Sequence, residues 1–305
     1  MTGGRLYIDG KDILAEFGVV VKEGGYAELL AYPPLKSVTT NDWQEEDGIE
    51  VDLSAPVLNT RELTINFIAL NGIEGIGALA ALLSDMSYHD FYHGQMGRRY
   101  RLRLVKQPNF QWSAELGFVA FRFADDFPLQ GYEYKTPVSS VSPYSDYGLD
   151  DRLMTEYGVR VLQGTLASID KAPDVKPNLL RNIKTEQGAL YDNASVTFKS
   201  KDVQLNCLMR ADNMAEFWRN YDALLFDLTR PGERRLSVAV RGREFPCFYK
   251  SCKTSWFFHT GKIWWEFVLT LTFTSYRLVG KRPRMRLVTG KAMRLTSANS
   301  IRLIR

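Results

Sequence analysis

Alternation of apolar and polar residues is the most regular pattern along the chain. A period of two is typical of strands with one buried face, so the sequence predicts a mainly β protein. A short hairpin with Asp9-Gly10 as its turn is predicted near the start. The other predicted strands cover residues 17–21, 49–53, 63–67, 100–105, 112–123, 159–162, 190–198, 203–208, 245–252 and 263–273.

Helical spacing occurs in two places, each after a pair of predicted strands. Apolar residues three and four positions apart place one face of each helix against a core. The sequence therefore predicts one helix in each half of the chain. The segments are residues 75–84, with Ile76, Leu79, Leu82 and Leu83 on one face, and residues 214–226, with Phe217, Tyr221, Leu224 and Leu225.

The pattern occurs twice, at a constant offset of 140 residues. Random similarity would scatter the offsets, so a tandem duplication is predicted. A further match, of residues 234–240 to residues 98–102 at an offset of 136, predicts a four-residue deletion between helix and strand in the second copy. The matches at 140 are Phe17-Gly18-Val19 with Tyr157-Gly158-Val159, Glu46-Asp47-Gly48 with Glu186-Gln187-Gly188, residues 61–67 with 201–207, Pro33 with Pro173, and Asp52 with Asp192.

Domain organisation follows from the repeat. We expect a first domain over residues 1–131, a linker or extended arm rich in Ser, Pro and Tyr over 132–150, a second domain over 151–280, and a basic tail over 281–305. Each copy also contains a long segment without helical periodicity, residues 22–47 and 163–187. Long segments of this kind are usually functional.

Composition narrows the class of protein. The 305 residues are 45% hydrophobic and 24% charged, as in soluble globular proteins. No apolar run approaches the length of a membrane span, and the N-terminus lacks the apolar core of a signal peptide. The three cysteines, Cys207, Cys247 and Cys252, all lie in the second copy. An odd number confined to one copy argues against a shared disulfide framework and favours folding in a reducing cytosol.

Charge is distributed unevenly along the chain. The formal net charge is +4, but residues 281–305 contain eight Lys or Arg and no acid, so the remainder carries +4 − 8 = −4. The motifs around Arg286, Arg294 and Arg302 recur every eight residues and predict three short strands. Such a ribbon buries little surface alone, so we expect it to dock on its own body, on a neighbour or on another protein.

Candidate catalytic or ligand-binding motifs are weak. The pair His89 and His93 has metal-binding spacing only on a helix, and we expect two loop or helix-end histidines instead. The spacing of Cys247 and Cys252 is not that of a zinc site. The glycines in residues 72–77 do not match a phosphate-binding loop and are expected to turn the chain into the helix. We therefore expect no metal, no cofactor and no enzymatic activity.

Aromatic residues concentrate in the predicted hairpin of residues 256–267. Half of the side chains in an alternating strand face the core. The others could form a protein interface or stack on a ligand such as a sugar, and all three roles remain open.

Several strings resemble tail proteins encoded by phages and prophages of gut Bacteroidales bacteria. These are residues 6–13, 17–21, 41–52 and 60–67. The order strand, long loop, strands, helix, strands is also similar to the tail-tube fold of tube, distal tail and baseplate hub proteins. The resemblance implies an α+β protein with two tandem β-sandwich or barrel domains, each with one flanking helix, and a β-rich basic tail.

The resemblance also implies a structural role in the virion. The expected function is a distal tail protein that forms a ring around the DNA channel and is assembled in the host cytoplasm. The alternatives are a trimeric baseplate hub with pseudo-six-fold symmetry, and a carbohydrate-binding tip module that uses residues 256–267. Expected partners are further copies of the chain in a hexamer or trimer, the tail tube protein and tail-tip or baseplate proteins, with DNA only passing through. Expected assembly contacts are Leu35, Trp43, Val175, Leu179, Arg286, Arg294 and Arg302.

Overall fold

The computed structural model describes residues 5–276. Within this range it omits residues 71, 86, 107–109, 114–115, 141–144, 178–179, 186 and 192–195, and for residues 110–113, 116, 180–181 and 190–191 it gives the backbone alone. The basic tail of residues 281–305 lies outside the described residues. Among the helices of the described part, none is long and apolar enough to cross a membrane.

The first half is mainly β, with two α-helices. The longer helix follows the longest early strand, as the sequence predicts. The elements are β1 Leu6–Ile8, β2 Lys11–Asp12, α1 Ile13–Phe17, β3 Val19–Val21, β4 Thr40–Asn41, β5 Glu50–Val51, β6 Arg61–Ala69, α2 Ile73–Leu83, β7 Tyr88–His93, β8 Arg98–Lys106, β9 Phe110–Ser113 and β10 Leu116–Asp125.

The second half repeats this order of strands, with α3 placed later than α1. A 3-10 turn at Met154–Tyr157 takes the position of α1, and the helix α4 is one turn longer than α2. The elements are β11 Tyr147–Leu149, β12 Arg152–Leu153, β13 Val159–Val161, α3 Thr165–Asp170, β14 Leu180–Arg181, β15 Leu190–Tyr191, β16 Lys201–Ala211, α4 Met214–Leu228, β17 Arg234–Val238, β18 Arg243–Phe258 and β19 Ile263–Phe273.

Both halves build one antiparallel sheet with the same topology. The strand order is β2-β1-β7-β8-β10-β6-β3 in the first sheet, where β9 also pairs with β10, and β12-β11-β17-β18-β19-β16-β13 in the second. Seven flat strands would hold the two edges about 29 Å apart, at about 4.8 Å per gap. The edges β2 and β3 are joined only by the five-residue helix α1 and Gly18. Because about 1.5 Å is gained per helical residue, so short a link requires the sheet to curl.

The register between the halves is regular, and it corrects one prediction. Strand β17 pairs with β11 as β7 pairs with β1, which places Leu236 opposite Leu149 and Phe91 opposite Ile8. Residues 234–238 are therefore equivalent to β7 at an offset near 145, and the predicted match to residues 98–102 at 136 is wrong. The second half has gained residues between helix and strand, mainly in the extra turn of α4, rather than lost four.

The two halves have separate cores, and each core includes its helix. Ile76, Leu79 and Leu83 of α2 are buried against the first sheet. Gly75 allows α2 to approach α1, because a Cβ there would overlap the carbonyl oxygen of Phe17. Gly72 has a φ of 79° just before α2, so it turns the chain into the helix as predicted.

Three details differ from the sequence-based expectation. Strand β11 begins at Tyr147, inside the segment 132–150 that was predicted as a linker or extended arm. The helices α1 and α3 were not predicted, because five or six residues are too few to show a helical period. His89 and His93 lie on the buried face of strand β7 rather than in a loop or at a helix end.

Candidate assembly surfaces

The chain leaves each sheet in one long excursion. The first excursion, residues 22–60, joins β3 to β6, and the second excursion, residues 162–200, joins β13 to β16. Each carries a short hairpin, β4 with β5 and β14 with β15, and one isolated bridge. The bridges join Leu35 to Leu58 and Val175 to Phe198, which are equivalent positions at an offset of 140.

The first excursion packs against the second half of the same chain. Tyr32 is 2% exposed and belongs to the core of that half. Its ring centroid lies 4.5 Å from that of Tyr221, 5.3 Å from that of Trp265 and 6.3 Å from that of Phe267. A large aromatic side chain from one half thus completes the apolar core of the other.

Three tyrosine hydroxyls fix this contact. Tyr32 donates to the carbonyl of Tyr221 at 2.9 Å, and Tyr221 donates to the carbonyl of Leu30 at 3.1 Å. Tyr249 donates to the carbonyl of Pro33 at 2.8 Å. Burial raises the pKa of all three tyrosines, so the hydroxyls stay protonated as donors.

The tip of the first excursion, residues 42–49, lies on the base of the second excursion. Lys176 is 1% exposed, and its ammonium donates to the carbonyls of Trp43 at 2.8 Å and Gly48 at 2.5 Å. The same ammonium forms an ion pair with Asp42. A buried amine is tolerated only when its donors are satisfied, and here three acceptors from the tip satisfy them.

Backbone contacts continue this interface. Gly48 N–H donates to the carbonyl of Phe198 at 2.7 Å, and Phe198 N–H donates to the Asp47 carboxylate at 3.0 Å. Thr197 Oγ1 donates to the carbonyl of Gln44 at 2.6 Å. Gly48 has a φ of 79°, and a Cβ there would overlap the carbonyl oxygen of Thr274. Only glycine fits this close approach without strain.

An ion pair joins the sheet of the first half to α4. Arg98 donates to Asp222 through Nη1 and Nη2, each at 2.9 Å from Oδ1, and its guanidinium lies 4.3 Å from the centroid of the Trp218 ring. Trp218 Nε1–H donates to the carbonyl of Met96 at 2.6 Å. This combination of forked pairing and stacking is specific to arginine.

Residues 132–140 form an extended arm along α4, which is one of the two alternatives that the sequence left open. Val138 N–H donates to Asn220 Oδ1, and Asn220 Nδ2 donates back to the Val138 carbonyl, both at 2.9 Å. The ring centroids of Tyr132 and Tyr134 lie 5.8 Å and 5.1 Å from that of Phe226. The arm, the first excursion and the second sheet together bury most of α4, and no equivalent arm covers α2 within the described residues.

The predicted assembly residues fall in different places. Leu35 and Trp43 contact the second half of the same chain, through Leu35 N–H to the Lys250 carbonyl at 3.0 Å and through the Trp43 carbonyl to Lys176. Val175 is 47% exposed. Leu179, Arg286, Arg294 and Arg302 lie outside the residues whose side chains are described. A role of any of the seven between chains stays a prediction.

The aromatic hairpin divides between core and surface. Trp265 and Phe267 are buried, so part of it is core. Trp256 and Phe258 are 49% and 40% exposed, and their rings stack with centroids 5.7 Å apart and planes within 10°. They form a flat aromatic surface next to the turn of residues 259–262, which lies between β18 and β19 as predicted.

Histidines and cysteines have structural surroundings. His89 Nδ1 lies 2.7 Å from the Asp9 carboxylate. No group of three possible metal ligands occurs among the described residues. Cys207 and Cys247 are buried and Cys252 is partly buried, and all three are free thiols. Burial raises the pKa of Cys247 and of Cys252 to about 12 each, so both thiols are protonated near neutral pH.

Sequence reasoning missed the residues that join the two halves. Tyr32, Gly48 and Lys176 all lie in the excursions, but their role depends on contacts between distant segments. Gly48 was included in the repeated string of residues 46–48, with no role assigned to it. For Tyr32 the available signal was a large aromatic residue directly before Pro33-Pro34. Lys176 gave no signal, because the equivalent residue of the first half, Lys36, is also a lysine.

Comparisons with known proteins add little. No family model matches the chain, and no curated protein matches it. One similar solved structure is described as "Crystal Structure of SPP1 Dit (gp 19.1) Protein, a Paradigm of Hub Adsorption Apparatus in Gram-positive Infecting Phages". It is 11% identical, with a TM-score of 0.32, and the alignment covers 88% of this chain and 98% of that one. A likeness of this size identifies neither the fold nor the function, and it does not bear on the Bacteroidales resemblance.

Proposed function

We propose that this chain is a structural protein of a phage tail that forms a ring around the DNA channel at the distal end of the tail tube. The observation that carries the proposal is the presence of two halves with one strand order, held in a fixed contact by the first excursion. The resemblance of the four sequence strings to tail proteins supplies the biological setting. The order of strands, excursion and helix in each half agrees with what that resemblance implies.

The contact between the halves favours one of the two ring arrangements. In a distal tail hexamer with an outward second half, only the first half would line the ring. Here the first excursion completes the core of the second half, as expected of neighbours within one ring. We therefore favour the arrangement of a baseplate hub, in which three chains contribute six equivalent units to a pseudo-six-fold ring.

A structural role also agrees with the state of the thiols. Thiolates, rather than thiols, are the nucleophiles of cysteine enzymes. The raised pKa values of Cys247 and Cys252 suit packing rather than catalysis.

Purified full-length protein tests the proposal. We expect a defined oligomer by light scattering and annular particles by negative-stain electron microscopy. Co-expression with the tail tube protein encoded by the same phage should yield tubes capped by this ring. A protein that remains monomeric at high concentration, and binds no tube protein, would remove the proposal.

A carbohydrate-binding tip remains a second candidate, favoured by the exposed pair Trp256 and Phe258. Parallel aromatic faces can stack on the apolar face of a sugar ring. We expect the wild-type protein to bind a subset of a glycan array and the double variant Trp256→Ser, Phe258→Ser to lose that binding. An array without signal for the wild-type protein would exclude this role.

A further inference from the structure

Each half offers two surfaces, and the described residues show one surface of each half in use within the chain. We call the tip of an excursion the donor face, and the base of an excursion with its adjoining sheet end the acceptor face. The donor face of the first half, residues 42–49, occupies the acceptor face of the second half around Lys176. We propose that the donor face of the second half, around Gly188, occupies the acceptor face of the first half, around Lys36, on a second copy of this chain.

The acceptor face of the first half has the right backbone but is uncovered. Lys36 N–H donates to the Val57 carbonyl at 2.9 Å, just as Lys176 N–H donates to the Thr197 carbonyl at 2.8 Å. Lys176 and Thr197 are 1% and 2% exposed beneath the first tip. Lys36 is exposed, and Val57 is 53% exposed. The acceptor faces at Lys36 and Lys176 therefore have the same backbone hydrogen bond and differ in their exposure to solvent.

The backbone N–H and carbonyl groups of this acceptor face also support the proposal. At Phe198 the N–H and the carbonyl, which face away from the bridge to Val175, bond to Asp47 and Gly48 of the first tip. Leu58 is the equivalent residue, in its bridge to Leu35. Within the described part of the chain, its N–H and carbonyl have no hydrogen-bond partner. An incoming tip could take both bonds, as the first tip does.

The donor face of the second half keeps the special backbone of the first. Gly188 has a φ of 84°, against 79° for Gly48. A Cβ at Gly48 would overlap Thr274, whereas a Cβ at Gly188 would meet no atom within 4 Å. The conformation that lets Gly48 approach its partner closely is thus present at Gly188, where the described residues make no such close approach.

A second contact within the chain, between Leu35 and Lys250, also has equivalent residues in the proposed contact between chains. Leu35 N–H donates to the carbonyl of Lys250, which occupies a bulge of β18. Strand β8 has its irregularity at the equivalent residue, Val105. Val175, the equivalent of Leu35, and Val105 are both exposed apolar residues. Contact between Val175 of one copy and Val105 of the next would bury both.

The aromatic contact within the chain, between Tyr32 and Tyr221, has no equivalent in the proposed contact between chains. Ala172 takes the place of Tyr32, and Ala80 takes the place of Tyr221 because the two helices begin at Ile73 and Met214. The face of α2 that includes Ile73, Gly77 and Ala81 is exposed, and it carries no large aromatic side chain. We therefore expect the contact between chains to rest on backbone bonds and to be weaker than the contact within the chain.

Such a contact joins different surfaces of two identical chains. Contacts of this type generate rings when the rotation closes, and filaments when it does not. The inference rests on the proposed function, because the contact that it names is the contact between subunits of the proposed ring. It specifies one donor residue, Gly188, and one acceptor residue, Lys36.

Two single variants separate donor from acceptor. Lys36→Glu reverses the charge on the acceptor face, and Gly188→Asn adds a side chain to the donor face at a φ that Asn tolerates. Gly261→Asn is the control, because Gly261 has a φ of 87° and equally open surroundings in the β18–β19 turn. We expect each test variant to weaken self-association at least about tenfold, and the control to assemble like the wild type. The unfolding midpoint of each test variant, measured below the assembly concentration, should match that of the control.

Mixing the two test variants gives the sharpest result. Lys36→Glu retains a donor face and Gly188→Asn retains an acceptor face, so an equimolar mixture should form one-to-one dimers of twice 34.8 kDa that do not grow further. Rings of unchanged stability in both variants would overturn the inference and leave the proposed ring intact. A mixture of the two variants that stays monomeric would also overturn the inference. A monomeric wild-type protein would instead remove the proposed function itself.

Discussion

Lys36 and Lys176 occupy equivalent positions of the two halves, and only Lys176 is buried by a neighbouring half. Both donate their backbone N–H to the same kind of bridge partner. The difference between them is the first tip, which supplies acceptors to Lys176 alone.

This relationship predicts unequal effects of one substitution. Lys176→Met should destabilise the chain by about 2–3 kcal/mol, because the buried carbonyls of Trp43 and Gly48 lose their donor. Lys36→Met should change the free energy of unfolding by less than about 0.5 kcal/mol, as for an exposed residue. Urea unfolding at a concentration below assembly measures both. Equal losses would show that the first tip does not depend on Lys176.

Gly48 offers a test of the close approach to Thr274. Gly48→Ala and Gly10→Ala both place a Cβ at a φ of 79°, but only at Gly48 does that Cβ meet another segment. We expect Gly48→Ala to cost about 1–3 kcal/mol more than Gly10→Ala, because the tip must move away from Thr274. The comparison uses thermal or urea unfolding. Similar losses at the two sites would contradict the close approach of Gly48 to the carbonyl of Thr274.

Tyr32 should link the stability of the two halves. Tyr32→Ala removes a large buried ring from the core of the second half, so a loss of about 3–5 kcal/mol is expected. Phe258→Ala, at a residue that is 40% exposed, should cost much less. Calorimetry should show one transition for the wild-type protein and two separated transitions for Tyr32→Ala. A single transition at the wild-type temperature would contradict the role of Tyr32.

His93 predicts a loss of stability in mild acid. It is buried on β7, with its ring centroid 4.9 Å from that of Tyr26, and burial together with nearby His259 lowers its pKa to about 4. The unfolded chain protonates this histidine near pH 6.5, before the folded chain does. The contribution of neutral His93 to the free energy of unfolding is complete above pH 6.5. It is lost as the pH falls towards 4, and the total loss is about 3 kcal/mol.

The variant His93→Phe isolates that effect. It keeps an aromatic ring beside Tyr26 but removes the titrating group, so its stability should fall less steeply between pH 6.5 and 4. Urea unfolding at several pH values measures the slope. Parallel curves for variant and wild type would assign the acid sensitivity to other groups.

Local patterns predicted most of the strands and both longer helices. Alternation identified β6, β16 and β19, and the offset of 140 residues located the equivalent positions of the two excursions. The histidines of β7 were misplaced although residues 89, 91 and 93 alternate with polar neighbours, because histidine was not counted as a core residue. The match at 136 failed because two arginine pairs looked alike, whereas pairing with β1 and β11 decides which strands correspond.

Contacts between the excursions and the opposite half could not be predicted. Tyr32 enters a core that includes Tyr221 and Trp265, which lie 189 and 233 positions later in the chain. No period or motif in either segment encodes that meeting, because it depends on how two complete sheets are placed. The repeat did indicate that the excursions were equivalent, and the structure then shows that the tip of the first excursion lies on the base of the second.

The mass and symmetry of the assembled protein test the central claim most directly. Native mass spectrometry with negative-stain imaging should show closed particles of three chains, about 104 kDa from three times 34.8 kDa, with six similar lobes around a hole. A solitary chain at high concentration, or an assembly in which only one half of each chain surrounds the hole, would contradict it.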